Sequence, residues 1–261
     1  MNSDRQRLVR DLGALGLREG DCVLLHSSLR SFGRVEGGAD AVIDAFLEVL
    51  GPGGTLLAPT LTGSEALSPE NPPHVDLRTA ACWNGRIPET LRQRPGALRS
   101  THPTHSCAAL GARAAELLHG HELSPTPCGV TSPYFRNAAA GGYIVLAGCG
   151  LDTCTTLHTV EELANVPYHL QEHIAFGSCV DLAGKRVQTP CRLHSYAGPS
   201  RDFPVLEPLL LERGLLRTGP AGESQVRVIH AMGLIETALE KMCFDPYYIT
   251  ALRARPATPR P

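Results

Sequence analysis

Residues 21–61, DCVLLHSSLRSFGRVEGGADAVIDAFLEVLGPGGTLLAPTL, constrain the fold more than any other part of the chain. DCVLLHSSL is a compact apolar run of strand type that ends in polar residues. GGADAVIDAFLEVL repeats its apolar positions at helical spacing, and Gly-Pro-Gly-Gly stops it. TLLAPTL then follows at once as a second strand. Strand, helix and strand in that order form a β-α-β unit. The same alternation continues: ARAAELLHGHEL reads as a helix, GGYIVLAGCG as a central strand, DFPVLEPLLLERG as a helix, QVRVIH as a strand and MGLIETALEKM as a last helix. In CVDLAGKRVQTP, the Ala-Gly-Lys step predicts a hairpin turn. The fold class expected is α/β, a single domain over 1–261 with a mixed central sheet flanked by helices. Residues from about 253 to 261, ending ARPATPRP, are expected to form a loose tail.

Charge narrows the partners. The 24 basic and 26 acidic residues give a net charge of −2 without long blocks of either sign, so no nucleic-acid patch or polybasic membrane anchor is expected. MNSDRQRLVRDLGALGL has helical spacing but no uninterrupted apolar stretch of the signal-peptide kind, and no run approaches membrane-spanning length. A cytoplasmic location is the expectation. Nine scattered cysteines with no C-x-x-C pair predict small buried hydrophobes rather than disulfides.

Several segments carry polar residues that could do chemistry. In TTLHTVEELANVPY, the run Asp152-Thr153-Cys154-Thr155-Thr156 offers helix N-caps, and Glu161 and Glu162 suit a first helical turn. On that helix His158 and Glu161, at i and i+3, share a face, and a carboxylate beside an imidazole fixes its tautomer and raises its basicity. The helix starts just beyond the carboxyl end of a strand, where ligands bind in open α/β sheets. LLHSSLRSFG places Ser27, Ser28 and several backbone N–H groups at another strand end before a Gly-initiated helix, a turn able to cradle phosphate. It matches neither a dinucleotide fingerprint nor a Walker loop. Residues 62–95 are irregular, acidic and rich in Pro and Gly, and are expected to line a cleft.

Metal was weighed on three segments. RSTHPTHS holds His102 and His105. HLQEH, with His169 and His173, matches the H-x-x-E-H pattern of inverted zinc proteases, and CRLH adds Cys191 and His194. The protease motif needs a long helix, whereas here it follows Val166-Pro167 and precedes the strand-like IAFGSCV. No metal is expected. A serine hydrolase lacks its G-x-S-x-G elbow, and Cys154 has only its neighbourhood to recommend it as a nucleophile.

Taken together, VLLHSSLRSFGRVEGGADAVIDAFLEVLGPGGTLLAPT, RSTHPTHSCAALG, GGYIVLAGCGLDTCTTLHTVEELANVPY and LLRTGPAGESQVRVIHAMGLIETAL, from about Asp4 to Tyr248, resemble the aminoglycoside 3-N-acetyltransferase family in order and spacing. The resemblance implies an acetyl-CoA-dependent N-acetyltransferase that acetylates an aminoglycoside, at its 3-amino group, by direct attack within a ternary complex. It implies that His158 activates the acceptor amine and that Glu161 supports it. Ser27, Ser28 and Leu29 are implied to contact acetyl-CoA, with Ser100, His102 or Ser106 bordering the same cleft. Glu65, Glu70, Asp76 and Glu162 are the carboxylates available to the acceptor. No other partner than the amine and acetyl-CoA is expected, in a monomer or homodimer. The chain departs from the family where its second acidic loop should fall: Cys191, Leu193, His194 and Ser195 stand there. An acyltransferase for a less charged biosynthetic amine is therefore the alternative, with a zinc-dependent hydrolase behind it.

Overall fold

The computed structural model describes residues 3–254. Its elements follow in order: α1 Ser3–Ala14, β1 Cys22–Ser27, α2 Gly38–Leu50, β2 Thr55–Pro59, β3 His74–Asp76, α3 Arg86–Arg92, β4 Leu98–Arg99, β5 Cys107–Gly111, α4 Ala114–Leu118, α5 Pro133–Ala139, β6 Tyr143–Ala147, α6 Thr156–Leu163, β7 Leu170–Val180, β8 Arg186–His194, α7 Glu207–Glu212, β9 Leu216–Ala221, β10 Ser224–His230 and α8 Ala231–Met242. Seven strands form a mixed sheet in the order β4-β5-β2-β1-β6-β10-β9, in which β2, β1 and β6 run parallel. The expected α/β class with a mixed central sheet is the fold observed.

Both faces of this sheet are covered, and the period-two alternation of the strands sorts side chains between them. Val23, Leu25, Leu56 and Val145 point into a core made with α1, α2 and α3. Leu24, Leu57, Ile144 and Leu146 point into a second core against α4, α5, α6 and α8. That is why the central strands read as unbroken apolar runs. All nine cysteines are free, and most are buried, as small apolar side chains should be.

A separate sheet of order β3-β7-β8 stands beside the first. Its hairpin turns through Asp181–Lys185, where the Ala-Gly-Lys step was expected to turn, with Gly184 at φ +83. HLQEH runs into β7 as extended chain, in keeping with the strand-like IAFGSCV after it, so the protease-like histidines never share a helix. Elsewhere the sequence expectations need correction. Residues 62–95 contain β3 and α3 rather than loop alone, while α5 and β9 carried no expected element. Arg253 pairs with Asp202 at 2.8 Å and Ala254 N–H bonds Asp245, so the first two residues of the expected tail are tied down; residues 255–261 lie outside the described residues.

Two short-range devices aim the chain at the cleft. Gly148, at φ +66 after β6, lets Ser31 approach so closely that a Cβ would sit 1.9 Å from its Oγ. Asn165, at φ 48, ends α6 in the left-handed conformation that asparagine tolerates, and the chain reverses toward His169.

Candidate active site

The parallel strands β1, β2 and β6 deliver their carboxyl ends to one edge of the sheet, and β1 has β2 on one side and β6 on the other. A crevice opens at such a switch point because the connections leave in opposite directions. Here a cavity of about 350 Å³ is bounded by His26 and Ser27 from β1, Pro59 from β2, Cys149 after β6, and Thr155 and His158. A shallower trough of about 550 Å³ joins it at Ser27 and Asn84, lined by Ser28, Leu29, Arg30 and Arg86. A third cavity, about 370 Å³, lies on the other side of His158, with His105, His169, His194, Tyr196 and Arg201 in its wall. Trp83, 62% exposed, borders all three. His158 stands between the first and third.

His158 is held from behind. Its Nδ1 lies 2.7 Å from Glu161 Oε2, and with the carboxylate as acceptor the ring proton resides on Nδ1 and Nε2 keeps its lone pair. Glu161 is fully buried and also accepts from Arg201 Nε at 2.9 Å, with His169 Nδ1 at 3.1 Å. A buried carboxylate is tolerable only when paired in this way. The cap of α6 differs from expectation: Thr155 occupies the N-cap without a side-chain bond, and Glu161 and Glu162 lie beyond the first turn. The i, i+3 geometry survives because it depends only on helical phase.

The other histidines of the third cavity are held neutral. Burial holds His105, His169 and His194 well below the usual imidazole range, and neighbouring imidazoles add to the effect. His169 Nδ1 accepts from Arg201 Nη2 at 3.1 Å, and its contact with Glu161 is a close approach of a neutral ring rather than an ion pair. His26 is pushed down to about 3 by burial, and its Nε2, like Ser27 Oγ, is buried without a partner among the described residues. Buried polar atoms left open in a cleft mark where a ligand's polar groups belong. In the trough, Arg30 and Arg86 are exposed and form no ion pair among the described residues, so that end favours an anion.

The expected site residues divide sharply. Ser27, Ser28 and Leu29 line the trough, and His158 and Glu161 meet. Ser100, His102 and Ser106 border neither the trough nor the first cavity, a correction to the expectation. Ser100 Oγ bonds His121 Nδ1 at 2.8 Å, His102 stacks on His121 and accepts the His105 N–H, and Ser106 Oγ donates to Thr60 O. Apart from His102 Nε2, which is buried without a partner among the described residues, their polar atoms are consumed inside the protein, and of that loop His105 alone reaches the third cavity. Glu65 is exposed beside Tyr196, whose phenol it pushes up, after burial. Glu70 binds Ser68, and Asp76 is clamped by Arg78 through both carboxylate oxygens. Glu162 is buried beneath His194, accepting from its Nε2 at 2.8 Å and from Cys128 N–H, and burial raises it to about 8. Cys154 is buried and raised to about 12, which leaves no thiolate for nucleophilic work. Arg201, Tyr196 and Arg86 carried no motif; Trp83, the single tryptophan, lies in the irregular segment already expected to line a cleft.

A mixed α/β sheet whose strand ends open onto a histidine–carboxylate pair between two cavities has the architecture of an enzyme of the α/β class. The chain belongs to the aminoglycoside 3-N-acetyltransferase family, whose model matches residues 24–243. Aminoglycoside N(3)-acetyltransferase VIII of Streptomyces fradiae is 35% identical over 266 residues, spanning 90% of each chain. The crystal structure of aminoglycoside acetyltransferase AAC(3)-Xa aligns with a TM-score of 0.78 at 34% identity, covering 94% of this chain and 93% of that one. AAC-IIIb, solved as a binary complex with CoASH, aligns with a TM-score of 0.76 at 28% identity, covering 96% and 98%. No helix of the described residues is long and apolar enough to cross a membrane.

Proposed function

We propose that this chain transfers the acetyl group of acetyl-CoA to an amine of an aminoglycoside, the 3-amino group, with both substrates bound together. The observation that carries the reading is His158, the shared wall of two cavities, backed at 2.7 Å by a buried carboxylate. The basic trough of Ser28, Leu29, Arg30 and Arg86 suits the phosphates of the coenzyme, and the narrower cavity with Ser27 and Thr155 suits its pantetheine arm. Acetyl-CoA supplies the activated acyl group. His158 Nε2 takes the proton from the acceptor ammonium, the amine nitrogen bonds to the thioester carbonyl carbon, the carbon–sulfur bond breaks, and the proton that the nitrogen then sheds ends on the departing sulfur, leaving amide and free thiol. Glu161 then faces an imidazolium and stabilises it, while Arg201 keeps the carboxylate in place. Every residue in this scheme comes from one domain of one chain, so it operates in a monomer or a homodimer. The cytoplasm, where acetyl-CoA is at hand, is the compartment proposed.

Filling the coenzyme turn tests the first half. Ser28→Trp is expected to weaken acetyl-CoA binding by about tenfold or more, a loss of about 1.4 kcal/mol, in a protein that still folds. Calorimetry showing unchanged affinity would remove Ser28 from the site.

A second reading rests on the third cavity, whose wall offers imidazoles, Tyr196 and Arg201 but no carboxylate. Glu65, whose charge bears on the Tyr196 phenol, is an exposed acidic group outside that wall. That lining favours a less charged amine over a polycation. A thiol-release assay across aminoglycosides and mono-amines decides between them. The aminoglycoside reading expects kcat/KM at least tenfold higher for some aminoglycoside than for any mono-amine, about 1.4 kcal/mol in transition-state binding. The reverse ranking would establish the alternative.

A further inference from the structure

His158, His169 and His194 each place a ring nitrogen within 4.8 Å of one from each of the others. All three belong to the wall of the third cavity. His158 is anchored by a carboxylate, its Nδ1 lying 2.7 Å from Glu161 Oε2; the same oxygen lies 3.1 Å from His169 Nδ1, and the raised carboxyl of Glu162 lies 2.8 Å from His194 Nε2. A carboxylate on one imidazole nitrogen fixes the tautomer and raises the basicity of the other, the support found behind metal-binding histidines. His169 is nine-tenths or more buried, and its Nε2 has no partner among the described residues.

Arg201 Nη2 also approaches His169 Nδ1, at 3.1 Å. A guanidinium can only donate, so it competes with Glu161 for that nitrogen. The tautomer facing Arg201 buries an N–H on Nε2 with no acceptor. The tautomer facing Glu161 leaves an unmet lone pair instead, the milder defect. Arg201 holds that hydrogen bond in the structure, and a cation on Nε2 would select the second form, with the Nδ1 proton turned to Glu161.

We propose that His158, His169 and His194 form a binding site for a transition-metal cation, zinc by ligand type. Three imidazoles with a fourth position open to a cavity are the donor set of an open zinc site. Tetrahedral bonds of about 2.0–2.1 Å bring ligand nitrogens to about 3.3 Å apart, so the rings must draw together modestly on the ion. A competing cluster, His105, Cys128 and His194, shares His194, but its three ligands are all buried and Cys128 is not part of the third cavity's wall.

The ion takes no part in acetyl transfer. It occupies the His158 lone pair that would receive the amine's proton, and so opposes the reaction in competition with the acceptor. This consequence rests on the reading of His158 as the base; the site itself does not.

Cobalt(II) titration of the full chain tests the site through its visible spectrum. One bound equivalent is expected, with the d–d bands of a low-coordinate nitrogen site, displaced by zinc. His169→Ala should weaken binding at least tenfold, and His158→Ala, at a half-exposed position, repeats the test where folding is least at risk. Absence of stoichiometric cobalt or zinc binding, binding unchanged in both variants, or a sulfur-to-cobalt charge-transfer band pointing to Cys128 would overturn the proposal. In kinetics, zinc should raise the apparent KM for the amine and not that for acetyl-CoA. Stoichiometric cobalt binding without inhibition supports the site and removes His158 from the role of base.

Discussion

Replacing His158 by alanine is expected to lower turnover by roughly two to four powers of ten, the span of general acid–base catalysis. The loss should fall on kcat and kcat/KM alike, because the interaction removed matters when the amine gives up its proton. Acetyl-CoA affinity should change little, since the trough and most of the first cavity are built from other residues. Glu161→Gln should do less damage. It keeps the side chain's shape and a hydrogen bond toward His158, but removes the negative charge that supports the imidazolium and balances Arg201. Steady-state kinetics with the amine and acetyl-CoA varied in turn measure both. A His158→Ala enzyme with nearly full turnover would show that another group takes the proton.

Arg99→Met is expected to cost about 3–5 kcal/mol of stability, the range for breaking a buried charged network. The guanidinium of Arg99 is buried and forms no ion pair among the described residues. Burial lowers it only to about 10, so it stays charged at neutral pH. Its donors instead reach Leu77 O at 3.0 Å, Ala80 O at 2.7 Å, Thr60 O at 2.9 Å, Thr60 Oγ1 and Ser106 Oγ. Methionine fills part of the space and satisfies none of those oxygens, and each carbonyl left unmet costs about 1–3 kcal/mol. The midpoint of urea unfolding should fall with little change in slope. Trp83 and Asn84 follow the Leu77–Ala80 stretch and flank the cleft, so acetyl-CoA binding should weaken as well. A variant within about 1 kcal/mol of the parent would mean that water replaces the guanidinium at these carbonyls.

The same network explains why the RSTHPTHS loop was misread. Its hydroxyls and imidazoles have the composition of a cleft-facing loop, and composition does not distinguish a polar atom aimed at a ligand from one aimed at a buried arginine. Ser106 answers Arg99, and Ser100 answers His121. Asp76 shows the same ambiguity, its charge spent on Arg78 two residues away.

What the sequence determined by itself is what depends on short-range physics. Apolar periodicity and the Gly-Pro-Gly-Gly stop delimit β1, α2 and β2, since each strand and helix selects its spacing within a few residues. The pairing of His158 with Glu161 belongs here too, because three residues on a helix bring two side chains together whatever surrounds them. Only the tertiary structure decided the rest of the site. His169 meets His194 because the β7–β8 register sets Leu170 opposite His194, across 25 residues of chain. Arg201 reaches Glu161 from 40 residues away, after a turn that the left-handed Asn165 begins. Such contacts are chosen by sheet register and loop closure, in which distant segments compete for one another, and no local spacing records which pair will win.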